Sequence, residues 1–429
     1  MIKDTLLQHK AEKERFLPKN YIVRDNSVSA KEFLKNDLIK VITGPRRAGK
    51  SVFSFLLLKD ENFAYLNFDD EKLLGIKDYD EIIKAIFEVY PGSKFVFFDE
   101  IQNLEKWELF VNKLQRRGYN LILTGSNANL LNKELATVLT GRYIPIEILP
   151  FSFKEFLQAK NFQVTPEDTK LPEIKGKMSN YLHEYLKNGG FPEVVVKNLD
   201  AGLYLETLFD AVLFKDVVKR YGTRFPQRIY NLALYLLSNV CSEFTFTRLR
   251  NVLEFRSTST VQKYLGYLEE SYLFFSLNRF SFKMKEQVKT PKKIYAVDNG
   301  FILAKAFQTS ANNGKLMENL VLREILRNGY RLNETVFYYK TRNGKEIDFV
   351  LKEGLEITAL VQVCFDVENI ETRNREIKAL CEAGEELECN KFLVITWDYD
   401  GEEDCKKGKI QYVPLFKWLE EKNGYAAKL

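Results

Sequence analysis

The eight residues Gly44-Pro45-Arg46-Arg47-Ala48-Gly49-Lys50-Ser51 fit the pattern G-x-x-x-x-G-K-[ST]. They follow an apolar segment, LIKVIT, and open another, SVFSFLLL, so the pattern lies between a strand and a helix, the context that gives it weight. Glycine at both ends lets backbone N–H groups turn inward around phosphate oxygens. Lys50 supplies a flexible cation for the β and γ phosphates, and the Ser51 hydroxyl can hold Mg2+. All eight positions are nucleotide-binding candidates.

A phosphate loop of this kind needs a parallel sheet to present it, and the following sequence supplies one. Strand segments FAYLNF, KFVFFDE and LILTG alternate with the amphipathic helices EIIKAIFEVY and WELFVNKLQRRG. Apolar strands spaced by such helices predict a parallel sheet covered on both faces. A fifth strand, Tyr143 to Leu149, ends at Pro150 and closes a core domain of residues 37–150. KFVFFDE ends in two carboxylates: Asp99 is expected on the metal side, and Glu100 as the base that polarises the attacking water. LILTG ends at Ser126-Asn127, where a small polar side chain can sense the γ phosphate; Ser126 or Asn127 is the candidate sensor, with Asn127 a nucleotide-binding candidate. No guanine-reading N-K-x-D tetrapeptide follows, so ATP with Mg2+ is the expected cofactor pair.

The rest of the chain reads as further folded material. With 45% apolar and 14% aromatic residues, disorder and coiled coil are excluded. Residues 1–36 form an N-terminal helical lead-in containing the extended piece Tyr21 to Val23, and residues 151–225 a helical lid or linker. FTFTRLRNVLEF, the turn RSTS and TVQKYLGYLEESYLFFSL give two helices, a polar turn and strands, a winged-helix pattern placed at 226–300. Residues 312–429 mix a helix, Leu316 to Arg327, with the strands EIDFVL, ALVQVCFD and KFLVITW, a second and smaller α/β unit.

Five cysteines without a CxxC pair argue against zinc and a disulfide framework, and two histidines against a His-based triad. No apolar run approaches the ~18 residues of a membrane span. The charged amino terminus lacks a signal-peptide core, so the expected location is cytoplasmic, with no membrane partner. DNA is a candidate partner through the winged helix, where Ser257 to Thr260, Gln262 and Lys263 open the recognition helix near Arg248, Arg250 and Arg256. The net charge of +5 over 429 residues is a weak basic footprint for that role. An unidentified protein partner and an oligomer both stay open.

Taken in order, TGPRRAGKS, FFDEIQNLEKWE, LTGSNANLL, LTGRYIPIEILPFSFKEF, NGGFPEVV and GKEIDFVL closely resemble a family of prokaryotic AAA+-like P-loop ATPases. The resemblance covers most of the chain. It implies an α/β protein: a P-loop NTPase parallel sheet, a helical and winged-helix domain, and a C-terminal domain similar to the restriction-endonuclease-like PD-(D/E)xK fold. It also implies that Arg142, in LTGR, is the γ-phosphate finger or sensor, acting with Lys50 and Glu100 in catalysis. The activity implied is ATP hydrolysis driving a switch in the later domains; an ATP-regulated DNA-binding or nuclease-like module is the alternative. In the nuclease-like fold Glu318 and Asp348 match two metal-binding positions and could hold one Mg2+ weakly. Gln362 replaces the third acid and Cys364 the lysine, so a structural or binding relic without cleavage is expected.

Overall fold

Five short apolar segments become the strands of one parallel sheet: β1 (Ile39–Thr43), β2 (Phe63–Asn67), β3 (Phe95–Asp99), β4 (Asn120–Gly125) and β5 (Tyr143–Glu147). The computed structural model describes residues 2–126, 141–163, 171–307 and 312–420. The strand order is β2-β3-β4-β1-β5, so the strand entering the phosphate loop neighbours β4, and β4 in turn neighbours the acidic strand β3. Before them come α1 (Ile2–Phe16) and α2 (Ser27–Phe33); between them run α3 (Lys50–Leu57), α4 (Glu71–Leu74), α5 (Tyr79–Val89) and α6 (Trp107–Arg116).

The period of two along each strand sorts its side chains between two cores. Val41, Leu66, Phe98 and Leu123 join Ile82, Ile86, Phe110 and Leu114 from α5 and α6 on one face. Their neighbours Ile42, Tyr65, Phe97 and Ile122 join Phe53, Phe55 and Leu57 from α3 on the other. Leu6 of α1 enters the first core, which ties the amino-terminal helix to the sheet. Pro145 lies in β5, which among the described strands pairs with β1 alone; an edge strand can accept a residue without an N–H donor.

The chain divides into two compact units, the first comprising Met1–Phe151 with Glu270–Tyr272 and the second Ser152–Glu269 with Leu273–Leu429. The second unit opens with helices, including α7 (Pro172–Asn188). It continues with β6 (Glu243–Phe244), α8 (Phe246–Val252), α9 (Thr258–Glu270), β7 (Phe274–Asn278) and β8 (Lys292–Ala296), whose strands form a sheet of order β6-β8-β7. A six-stranded mixed sheet follows in the order β13-β14-β12-β11-β10-β9, built from β9 (Val336–Lys340), β10 (Glu346–Glu353), β11 (Glu356–Cys364), β12 (Lys391–Thr396), β13 (Gly401–Cys405) and β14 (Gly408–Pro414). Its helices include α10 (Asn313–Arg327) and α11 (Ile370–Glu386). The protein is therefore α/β overall, with a P-loop NTPase sheet and a separate mixed-sheet C-terminal domain.

The NGGFPEVV segment belongs to a buried polar knot in the second unit. Asp298 is fully buried; it accepts hydrogen bonds from the Gly190 N–H at 3.0 Å and the Gly300 N–H at 2.9 Å, and pairs with the buried Arg323. Gly189 has φ +74°, and a Cβ there would stand 1.5 Å from an Asp298 carboxylate oxygen. The conformation and the close approach both require glycine.

The cysteines form one bridge among the described residues. Cys381 and Cys405, 24 residues apart, are joined by a disulfide, while Cys241, Cys364 and Cys389 are free. The bridge joins α11 to β13, an approach that cysteine spacing does not encode. No helix among the described residues is long and apolar enough to cross a membrane.

Candidate active site

The phosphate loop takes its shape from backbone constraints. Gly44 leaves β1 at φ +139°, and a Cβ on it would lie 2.0 Å from the Ile148 carbonyl oxygen. Arg47 is left-handed at φ 67°, and Gly49 caps α3 at φ 94°. Lys50 is the first residue of that helix and is buried, its ammonium donating to the carbonyls of Gly44 and Pro45 at 3.0 Å each. An ammonium held by two loop carbonyls has neutral partners to exchange for phosphate oxygens, a stronger, charge-assisted pairing.

Opposite the loop, β3 delivers Asp99. The Ser51 hydroxyl donates to its Oδ1 at 2.9 Å, the Thr124 hydroxyl donates to the same oxygen, and the Tyr65 hydroxyl lies 3.5 Å from Oδ2. Burial raises the Asp99 carboxyl to about 6, the neighbouring Glu100 adds to the rise, and Thr124, Ser51 and Lys50 oppose it. Burial and Asp99 also drive the Tyr65 phenol upward, so it stays a neutral donor. A hydroxyl and a carboxylate side by side next to a phosphate loop are hard oxygen donors of the kind Mg2+ takes. Glu100 follows in a left-handed conformation, φ 51°, that turns the chain sharply at the strand end. Its N–H donates to the Thr124 hydroxyl at 3.0 Å, and its carboxylate accepts from the Gln102 amide. Thr124 thus bridges the two acidic residues.

Ser126 follows β4 and is buried, and its hydroxyl has no hydrogen-bond partner among the described residues. Asn127 lies outside the described residues. Arg142 does not join this group. Its carbonyl accepts from the Ile39 N–H at 3.0 Å, and Tyr143 is level with Ile39, the first residue of β1. Arg142 is therefore exposed at the opposite end of the strands from Gly44, which lies about 17 Å from the level of Ile39 at ~3.3 Å per residue. Parallel pairing of β5 with β1 forces this, because both strands start at the same end.

Two residues of the site carried no sequence signal. Thr124 is one, reading as an ordinary strand residue before Gly125. Arg24 is the other: buried, it donates to the Ala48 carbonyl of the loop at 2.9 Å and to the Leu149 carbonyl, and its guanidinium lies 5.0 Å from the Phe151 ring centre. It braces the loop from 20 residues upstream of Gly44.

In the second unit, Glu318 and Asp348 converge as the sequence suggested, and a lysine stands between them. Lys293 of β8 is 1% exposed, with its ammonium 2.8 Å from Glu318, 2.7 Å from Glu346 and 3.3 Å from Asp348. Burial works against its charge, but the surrounding carboxylates and Tyr295 outweigh it and raise the ammonium well above its ordinary value. Gln362 is spanned between the Asp348 N–H, which donates to its amide oxygen at 3.3 Å, and Glu376, which accepts from its amide nitrogen. Cys364 is buried with its thiol pushed up to about 11 by burial, a poor replacement for an ammonium. The expectation of one weakly held Mg2+ at Glu318 and Asp348 does not fit this arrangement.

Residues 36–157 match the family model described as an AAA domain. Residues 179–312 and 313–418 match two models described as domains of unknown function, DUF8612 and DUF4143. An uncharacterized protein of Methanocaldococcus jannaschii is 37% identical over 398 residues, spanning 89% of this chain and 88% of that protein. An uncharacterized protein of Haemophilus influenzae is 35% identical over 355 residues, spanning 78% and 84%. Among solved structures, a Walker-type ATPase of Pyrococcus abyssi aligns with a TM-score of 0.43 at 15% identity, covering 66% of this chain and 95% of that one.

Proposed function

The chain belongs to the same family as these archaeal and bacterial proteins, and we propose that it hydrolyses Mg·ATP at the AAA-type ATPase domain of its first unit. The observation that carries this reading is the chain of contacts from Ser51 through Asp99 and Thr124 to Glu100 beside the Lys50 loop. Bound Mg2+, held by Ser51 and Asp99, would neutralise charge on the phosphate oxygens. Lys50 moves from the Gly44 and Pro45 carbonyls to the β and γ phosphates. Glu100 orients and polarises the water that attacks the γ phosphorus, with its backbone fixed by Thr124. Ser126 offers its buried hydroxyl to the γ phosphate, and Asn127 is proposed beside it. Arg142, at the far end of the sheet, can serve as a finger only toward a neighbouring copy, which links that role to an oligomer.

ATP turnover then acts as a switch whose output is the second unit, with 151–225 as a lid, 226–300 as a winged helix and 312–429 as an endonuclease-like domain. Phosphate release by the purified protein, with Mg2+ and with EDTA, tests the reading. Absence of Mg2+-dependent release above the rate of a Lys50→Ala control would sink it. A second reading, DNA as the partner, draws on the order α8, α9, β7, β8 with β6 completing the small sheet. Stimulation of turnover by duplex DNA would favour it.

A further inference from the structure

Three carboxylates from two elements meet in the second unit: Glu318 from α10, and Glu346 and Asp348 from β10. Such a group has two physical solutions, a bound cation or protonation of the acids. Here the cation is part of the chain. We propose that Lys293 is the resident cation of this acidic site, which therefore takes no divalent metal ion.

The contacts are those of a built ammonium site. The Lys293 nitrogen donates to Glu318 and Asp348 and forms an ion pair with Glu346 at 2.7 Å, so all three carboxylates share one ammonium. The carboxylates are themselves held from behind: the Tyr295 hydroxyl donates to Glu318 at 2.7 Å, and the Val363 N–H donates to Asp348 at 3.0 Å. The oxygens stand 2.7–3.3 Å from the nitrogen, wider than the ~2.0–2.6 Å that Mg2+ or Ca2+ demands. Among the described residues no group of three His, Cys, Asp or Glu has metal-holding geometry.

Position explains why the lysine cannot step aside. Lys293 lies in the middle of the β6-β8-β7 sheet, paired with Glu243 of β6 and Leu277 of β7. Its side chain is 1% exposed, so its stem is packed and only the ammonium reaches the acids. Metal entry would require expelling a packed, triply paired ammonium, and the incoming ion would meet its repulsion. Any phosphodiester chemistry needing a metal-activated water is closed off at this site.

The test needs no nucleotide and is independent of the ATPase reading. Mn2+ binding to the full chain is followed by electron paramagnetic resonance in the wild type and in Asp348→Asn. The two are expected to bind alike, because any ion at Ser51 and Asp99 is common to both. A wild-type site lost in Asp348→Asn would overturn the proposal. Lys293→Met removes the ammonium and leaves the carboxylates facing one another, so about one additional Mn2+ per chain is expected, with a Mn2+-dependent rise in melting temperature absent from the wild type. Lys293→Met/Glu346→Gln carries one acid fewer and serves if the single variant does not fold. A folded variant that gains no Mn2+ would also overturn the assignment.

Discussion

The Ser51 hydroxyl donates to the Asp99 carboxylate at 2.9 Å, across 48 residues of sequence. Ser51 belongs to the first turn of α3 and Asp99 to the last position of β3, so one hydrogen bond joins the helix of the phosphate loop to the acidic strand. Because Asp99 is buried beside Glu100, its carboxyl is raised from 3.8 to about 6. A raised acid favours the protonated form, so its contribution to stability is fully present below 3.8 and is lost as pH rises through about 6. Metal binding needs the opposite form. Mg2+-dependent kcat/KM is therefore expected to fall as pH drops through about 6. Glu100→Asn, by removing the neighbouring charge, moves the acid limb of Mg2+ binding to lower pH; an unmoved limb in a Mg2+ titration would show that another group controls it.

Lys50→Ala is expected to weaken Mg·ATP binding by roughly 10²-fold or more, since charge-assisted contacts to two phosphates disappear together. Isothermal titration measures this directly. Unchanged affinity would remove the nucleotide from this loop.

Glu100→Gln keeps shape and loses the base, so binding should persist while hydrolysis slows by ~10²–10⁴-fold. Thr124→Val removes the hydroxyl that bridges Asp99 and Glu100 and leaves the strand packing intact. It should lower kcat by roughly 10-fold or more with ATP affinity little changed, because two hydrogen bonds, to Asp99 and from the Glu100 N–H, are lost together. Phosphate-release kinetics separate the two; a near-normal Glu100→Gln rate would leave Asp99 as the next carboxylate to test.

Arg24→Met strands the carbonyls of Ala48 and Leu149, which its guanidinium now satisfies. Unpaired buried acceptors cost about 1–3 kcal/mol each, so a loss of about 2–6 kcal/mol is expected in urea unfolding, with weaker ATP binding because the loop is no longer braced. A wild-type midpoint and wild-type affinity would show that Arg24 is dispensable.

Asp298→Ala leaves the buried Arg323 guanidinium without its carboxylate and frees the Gly190 and Gly300 N–H groups. Removing one partner of a buried pair typically costs ~3–5 kcal/mol. Thermal unfolding of the second unit at a markedly lower temperature is the expected result, and an unchanged melt would deny the knot its role.

The phosphate loop and the strand-helix alternation were legible in sequence because they rest on local rules. Glycine is required where a carbonyl stands 2.0 Å from a would-be Cβ, as at Gly44. Alternation along FVFFD sends Phe97 and Phe98 to opposite faces whatever the sheet order. Tertiary structure decided what spacing cannot carry. Parallel pairing set Arg142 at the far end of β5 from the loop. Chain reversal brought Arg24 under Ala48 and Cys381 to Cys405. In the second unit Glu318 and Asp348 could be singled out in the sequence, yet Lys293, 25 and 55 residues away, decides what they bind. Its influence depends on distance through space and on burial, and a one-dimensional pattern encodes neither.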